Sequence, residues 1–320
     1  MLWLTWRQHR WQLIGVAAIL AVFWGYLVHL GLSAHQAVSG CPSISSDTPA
    51  PDCAAAINTL NGLFNTMGAV VAYSNLLPLA VGMFWGAPLL ARELEQGTHR
   101  LAFTQSVSRR RWLAVKLGVL TGAAALFGAV TGAVLPWAYG EFAPMFPTQP
   151  LGDTLTFSQS GAVPAATWVF ALLAGATAGL LLRRTMAAAA VTLVALPLVF
   201  AGLVFARPHY LPPADRLADG AHMIWYPAPQ NHPSGWILRV SYVDTSGRGL
   251  DPEAAGVICA DPANTYPTPE CLDRTGLRQR IVYHPAGDYP WFQLIEVGLL
   301  LTASAAMALF IWLRITRRYG

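Results

Sequence analysis

Long apolar stretches recur along this chain, separated by polar segments. Six of them have roughly the 20 residues with which a helix crosses a ~30 Å hydrocarbon layer, and the fourth is the shortest. They are Gln12–Leu32, Tyr73–Ala91, Leu113–Trp137, Thr167–Leu182, Met186–Ala206 and Trp291–Leu313. In lipid, only a helix satisfies every backbone polar group within one segment. The pattern predicts an all-α polytopic membrane protein with six transmembrane helices.

The composition agrees with this pattern and excludes one class of partner. Hydrophobic residues make up 54% of the chain and charged residues 11%, whereas soluble domains carry about 25% charged residues. The net charge of +4 would by itself be compatible with nucleic-acid binding. A nucleic-acid binder clusters its basic residues on one face, but here they fall at the predicted membrane boundaries. We therefore expect no nucleic-acid partner.

The basic residues also predict an orientation. If the N-terminus faces the cytosol, the inner gaps and tails hold 13 of the 20 Lys and Arg residues. The other seven all lie in the long segment after the fifth helix, where length weakens their influence on topology. Of the 16 acidic residues, 13 fall on the outer side. We expect a multi-pass plasma-membrane protein with both termini in the cytoplasm.

The polar segments predict the domain organisation. Residues 1–206 hold an N-terminal elbow and helices one to five, residues 207–289 form a small extracellular lobe of mixed or irregular structure, and residues 290–320 hold helix six and a cytoplasmic tail. Within the lobe, Trp236–Val243 and Gln279–Tyr283 have the composition of strands. Residues Ala54–Val71 are apolar enough for a helix, but three asparagines favour one that lies on or dips into the outer leaflet.

Pairs of glycines four residues apart predict close helix packing. Small residues at this spacing let helix backbones approach each other. The pairs are Gly82–Gly86, Gly118–Gly122, Gly128–Gly132 and Gly175–Gly179.

The longest cytoplasmic gap, from Ala91 to Leu117, has a helix–break–helix pattern. Glu93 and Glu95 extend helix two, Gly97 favours its termination, and Thr98 can cap a short helix over His99–Gln105. Helix three then begins with Arg109, Arg110 and Arg111. Three positive charges oppose the dipole of a helix N-terminus, so we expect them to contact phospholipid headgroups or an acidic partner.

This gap and the N-terminus resemble a known family. The sequences E-L-E-Q-G-T and T-Q-S-V-S-R-R-R-W, with Lys116, resemble the intracellular signature of permease subunits of ABC transporters of the type-2 export group. The leader W-R-Q-H-R resembles the N-terminus of a permease subgroup common in high-GC Gram-positive bacteria. In that family a short helix of this gap docks on a separate ATP-binding subunit. The resemblance therefore implies coupling to that subunit through Glu93, Glu95, Gly97, Thr98, Arg100, Phe103, Thr104 and Gln105.

The same resemblance implies further partners. Six helices make half of a transport pathway, so a second permease chain is expected, as a homodimer or a heterodimer. The chain has no G-x-x-x-x-G-K-[ST] phosphate loop. We therefore expect no cofactor in this chain, with ATP and magnesium bound by the ATP-binding subunit, and no enzymatic activity of its own.

Glu296, the four cysteines and the histidines give three further predictions. Glu296 lies inside helix six, where a carboxylate is costly and marks a candidate functional residue. It either faces the transport pathway, pairs across a subunit interface, or reaches outer-leaflet water. The four cysteines all lie in outer gaps, and the pairing Cys41–Cys53 and Cys259–Cys271 closes two short loops. A bridge between the loops, or free thiols, are the alternatives. No histidine spacing matches a zinc site, so no metal is expected.

We therefore expect the permease subunit of an ATP-driven exporter. With few charges in its helices, a hydrophobic or amphipathic substrate is favoured, such as a drug, an antibiotic peptide or a lipid-like molecule. The alternative is a membrane sensor or immunity protein whose extracellular lobe binds a ligand without transport. A third hypothesis is a membrane enzyme whose active site lies in the lobe.

Overall fold

A computed structural model describes residues 2–41, 44, 50, 53–95, 109–146, 151–224, 231–232, 235–259 and 267–318. Contacts divide the chain into two compact units. The helical unit comprises Met1–Phe146, Ser158–Leu203 and Gln293–Gly320, and the lobe unit comprises Pro147–Phe157 and Val204–Phe292.

The described residues contain six helices long and apolar enough to cross a membrane, in agreement with the sequence. The helices of the six candidate spans are α1 (Leu2–Ser39), α2 (Ala54–Ser74), α3 (Leu77–Val81), α4 (Ala87–Glu95), α5 (Arg109–Gly140), α7 (Val163–Leu182), α8 (Thr185–Ala206) and α11 (Tyr289–Arg318). The second span comprises α2, α3 and α4. The short helices are α6 (Thr154–Ser158), α9 (Pro252–Ile258) and α10 (Pro269–Thr275). The predicted membrane protein with six long apolar helices is confirmed.

The second candidate span is longer than predicted. It runs over Ala54–Glu95, 42 residues, or about 63 Å at 1.5 Å per residue, twice the hydrocarbon thickness. The predicted helix over Ala54–Val71 is therefore present, joined to the next one by a short break. At that break Ser74 Oγ and Asn75 Nδ2 both donate to the carbonyl of Val71, and these local bonds compete with helix continuation.

Helix α7 is the most buried of the six candidate spans: 56% of its most apolar 18-residue stretch is buried inside the protein. It packs against α4, α5 and the π-helical turn Gly82–Gly86 that precedes α4. A Cβ at Gly175 would lie 2.1 Å from the Gly82 carbonyl oxygen, and one at Gly132 would lie 2.2 Å from the Gly161 carbonyl oxygen. At these two contacts the backbones approach at distances that only glycine permits.

One predicted glycine pair behaves differently. A Cβ at Gly118 or Gly122 would meet nothing within 4 Å, because both glycines lie on the exposed side of α5. Close packing is therefore found for three of the four G-x-x-x-G pairs.

The lobe unit is built on an antiparallel sheet. Its strands are β1 (Ala214–Ala218), β2 (Asn231–His232), β3 (Gly235–Val243), β4 (Gly249–Leu250) and β5 (Arg278–Pro285), in the order β1-β5-β3-β2, with β4 beside β3. Strands β3 and β5 contain the two predicted strand runs, which are confirmed. Tyr242, Leu272 and Leu277 are buried between the sheet and helices α9 and α10.

Two disulfides, both of the pairing favoured from the sequence, close short loops. Cys41 is bonded to Cys53 in the helical unit, with 5.4 Å between Cα atoms, and Cys259 to Cys271 in the lobe unit, with 5.7 Å. The first pair is buried with Leu60 in an apolar cluster, and the second lies in the core beneath the sheet.

Candidate functional site

The C-terminal end of α4 is fixed to α5 by an ion pair. Lys116 Nζ lies 2.5 Å from Glu93 Oε1, and the Lys116 side chain is only 4% exposed. The ammonium also lies 5.2 Å from the centre of the Trp112 ring, within the range of a cation–π interaction. Lys116 is the only lysine in the chain. Its charge is therefore satisfied by one carboxylate and one aromatic face.

The same end of α4 is fixed to α8 by the next acidic residue. Glu95 Oε2 accepts hydrogen bonds from the backbone N–H of Thr185, at 3.2 Å, and from its hydroxyl, at 2.9 Å. Thr185 is the first residue of α8, so Glu95 supplies a negative group at a helix N-terminus, where the helix dipole favours it. A side chain 90 positions away along the chain thus acts as a cap for α8.

A tight turn at Arg183 lies directly before the capped residue Thr185. Arg183 has φ 55°, the left-handed conformation, and it ends α7 just before α8 begins at Thr185. The link between α7 and α8 is therefore only two residues long. Because this link is so short, the hydrogen bonds between Glu95 and Thr185 also hold Glu95 next to the end of α7.

We call the Glu93–Lys116 ion pair and the Glu95–Thr185 hydrogen bonds the two anchors of α4. They involve two of the residues predicted for the coupling site. Glu93 and Glu95 both contact other helices of this chain. The remaining predicted coupling residues lie outside the described residues; they are Gly97, Thr98, Arg100, Phe103, Thr104 and Gln105. Residues 96–108 join α4 to α5, and both ends of this segment start from helices that the Glu93–Lys116 pair holds together.

The three consecutive arginines begin α5, as predicted for helix three. Arg109 is its first residue, and Arg110 and Arg111 are exposed. Both lie on the first turn of α5, directly after the segment 96–108 in the sequence. Contact with headgroups or with a partner stays a prediction.

Glu296 lies on α11 and is buried, with 3% of its surface exposed. Gln293, one helical turn earlier, is 8% exposed. The carboxylate is therefore enclosed by protein rather than extended into solvent. A role for Glu296 in transport stays a prediction.

Sequence reasoning missed Thr185 and the partner of Lys116. The available signal was the presence of one lysine inside an apolar run, since an intramembrane charge usually has a partner. Among the residues that the structure describes, no group of three or more His, Cys, Asp or Glu side chains is arranged to hold a metal ion.

Comparison with known proteins places the chain in a family. A family model described as ABC-2 membrane transporter related matches residues 17–207. The chain belongs to this family. The match includes Glu93, Glu95, Lys116 and Thr185, and it leaves the W-R-Q-H-R leader outside. No curated protein and no solved structure matches the chain.

Membership of the ABC-2 membrane transporter related family indicates that the long apolar helices are membrane spans. Together with the six apolar helices, it makes the protein a multi-pass membrane protein of the transporter permease type. The family resemblance drawn from the sequence is thereby confirmed at the level of the family.

Proposed function

We propose that the protein is the permease subunit of an ATP-driven exporter, powered by a separate ATP-binding cassette subunit that docks on residues 96–108. The proposal is supported by membership of the ABC-2 family and by the two anchors at the end of α4. Glu93 joins α4 to α5, and Glu95 joins it to α8. A force applied to the segment between α4 and α5 would therefore act on three spans together.

Packing further along the same helices favours rigid-body motion. Beyond its anchored end, α4 lies against α7 at glycine contacts such as Gly179 with Ala87, where an added Cβ would come within 2.4 Å of a carbonyl oxygen. Such an interface has no slack for independent sliding, because protein interiors deform little. In our proposal, ATP binding by the partner moves α4, α5, α7 and α8 as one body.

The orientation follows from the charges at the two ends of the spans. In our proposal Arg92, Arg110, Arg111 and Arg183 lie on the cytoplasmic side, as the positive-inside rule favours, and the lobe unit lies outside. Both termini are then cytoplasmic, and the two disulfides face an oxidising compartment.

The remaining parts of the proposal concern partners and cargo. A second permease chain, identical or different, completes the pathway, and ATP and magnesium are bound by the ATP-binding subunit. The cargo is hydrophobic or amphipathic, because the spans are predominantly apolar. Glu296, buried on α11, is the residue we place nearest to polar parts of the cargo.

Co-purification and coupled ATP hydrolysis test this proposal. The tagged chain is purified from its own membranes, and bound subunits with a phosphate loop are identified. In liposomes, the complex should hydrolyse ATP and expel substrate. Phe103→Ala should reduce transport per ATP hydrolysed, whereas Phe84→Ala, at an exposed position of the turn Gly82–Gly86, should not. A chain that purifies without any ATPase would favour the sensor or immunity reading.

A further inference from the structure

A groove of about 500 Å³ lies in the lobe unit. Residues 208–213 form one wall, and Leu238, Arg239 and Val282 form the other. The register of β3 and β5 shifts between Ile237 and Arg239, so Leu238 is an extra residue in a bulge. Leu238 and Arg239 both line the groove, although they are neighbours in a strand. The groove is therefore mainly apolar and contains one guanidinium group, that of Arg239.

The sheet beside this groove has a basic exposed face. Side chains alternate between the two faces of a strand, so Arg278, Arg280 and Val282 share one face of β5. Arg239 of β3 is paired with Val282 and lies on the same face. All three arginines are exposed.

Only one of these three charges is neutralised within the described residues. Arg280 donates hydrogen bonds to Asp215 of β1, and these bonds lower the pKa of the Asp215 carboxyl. Across the part of the chain that the structure describes, no carboxylate is paired with Arg239 or Arg278. Within the described residues, this face therefore carries two positive charges, those of Arg239 and Arg278, that no carboxylate compensates. They lie on the same face of the sheet as Val282, which lines the groove.

The groove starts where a membrane span ends. Pro208 and His209 are the last residues of the fifth candidate span, Thr185–His209. Pro213, at the far end of the same wall, is four residues further, at most about 14 Å of extended chain. The near end of the groove therefore lies at the end of this candidate span, where a span that crosses the bilayer meets the headgroup region.

We propose that this groove binds the headgroup of an anionic phospholipid, with its phosphate on Arg239, while Arg278, four residues along β5 from Val282, adds positive charge to the same face. Guanidinium groups match phosphate oxygens in a two-pronged geometry. The apolar wall, with Leu211, Pro212 and Leu238, suits the glycerol and the first acyl carbons. A small anion would use the arginines and leave this wall without a ligand. The proposal goes beyond transport and depends only on membrane insertion.

Lipid retention by the full-length protein tests this inference. The protein in detergent is titrated with phosphatidylglycerol or phosphatidylcholine, and bound lipid is measured by native mass spectrometry. Each basic residue near a membrane surface contributes about fivefold to the binding of anionic lipid. Arg239→Gln with Arg278→Gln should therefore weaken phosphatidylglycerol binding roughly 25-fold and leave phosphatidylcholine unchanged.

Arg216→Gln is the matched control. Arg216 is exposed on β1 but is paired with the buried Ile281, so it belongs to the opposite face. It should bind phosphatidylglycerol like the wild-type protein. Circular dichroism and the intact mass, which shows both disulfides, check that each variant is folded.

Two results would overturn the proposal. The first is equal phosphatidylglycerol binding by the double variant and by Arg216→Gln. The second is complete displacement of phosphatidylglycerol by millimolar inorganic phosphate, which would show that the arginines bind a free anion and that the apolar wall contributes nothing.

Discussion

Replacement of Lys116 by Met tests the anchor between α4 and α5. The substitution keeps an unbranched side chain of similar length and removes the ammonium group, so Glu93 loses a partner at 2.5 Å. Removing one member of a buried ion pair costs about 3–5 kcal/mol, because the other charge is left uncompensated. Glu93 is 17% exposed and has further contacts. We therefore expect a loss at the lower end, about 3 kcal/mol.

The free energy of unfolding can be measured by titration with SDS in mixed micelles. Arg92→Gln is the control, because Arg92 lies beside Glu93 on α4 and is exposed. Its effect should stay within about 0.5 kcal/mol. The double variant Glu93→Gln with Lys116→Met removes both charges and should recover most of the loss. The reasoning fails if Lys116→Met is as mild as Arg92→Gln, or if the double variant loses the sum of the two single effects.

Three further predictions use other parts of the structure. Gly175→Ala should destabilise the protein by about 1–3 kcal/mol in the same titration through overpacking, whereas Gly118→Ala should be neutral or stabilising; equal effects would contradict the glycine contacts. Reduction of the lobe disulfide should cost about 2–3 kcal/mol and speed proteolysis of the lobe; unchanged cleavage would contradict this. Because Arg280 lowers the pKa of Asp215 in the folded state, the ion pair stabilises the protein above the unfolded pKa of about 3.9, and this contribution is lost as the pH falls through the lowered value. Asp215→Asn should thus be less stable than wild type at pH 7 and equal to it in strong acid; a difference that persists in acid would refute the assignment.

The long helices could be predicted because length and hydropathy alone decide whether a segment can cross a bilayer. Strands β3 and β5 could be predicted for a similar local reason, since both have strand-like composition. The favoured disulfide pairing also rested on short separations along the chain. In each case, the decisive residues lie within one segment.

The anchors could not be predicted, because they depend on how separate helices are rotated against each other. Glu93 and Lys116 are 23 positions apart, and Glu95 and Thr185 are 90 apart. No repeat or spacing in the sequence fixes which faces of those helices meet. For the same reason, the sequence did not distinguish the exposed Gly118 from the tightly packed Gly175.

The near-continuity of the two helices on either side of Asn75 and the bulge in β3 also escaped prediction. At Asn75, the end of α2 depends on side-chain hydrogen bonds to one carbonyl group, which compete closely with helix continuation. The groove in the lobe depends on the extra residue Leu238 in β3. A single inserted residue changes which side chains share a face, and composition gives no sign of it.

The central claim is that residues 96–108 face the cytosol, where a nucleotide-binding partner can reach them. All four cysteines of the chain are in disulfides, so Thr98→Cys introduces a single reactive thiol without further changes. Intact cells are treated with a membrane-impermeant maleimide, and a second sample is treated after permeabilisation. We expect the Thr98→Cys variant to be labelled only after permeabilisation. Labelling in intact cells would place the segment outside and contradict the account.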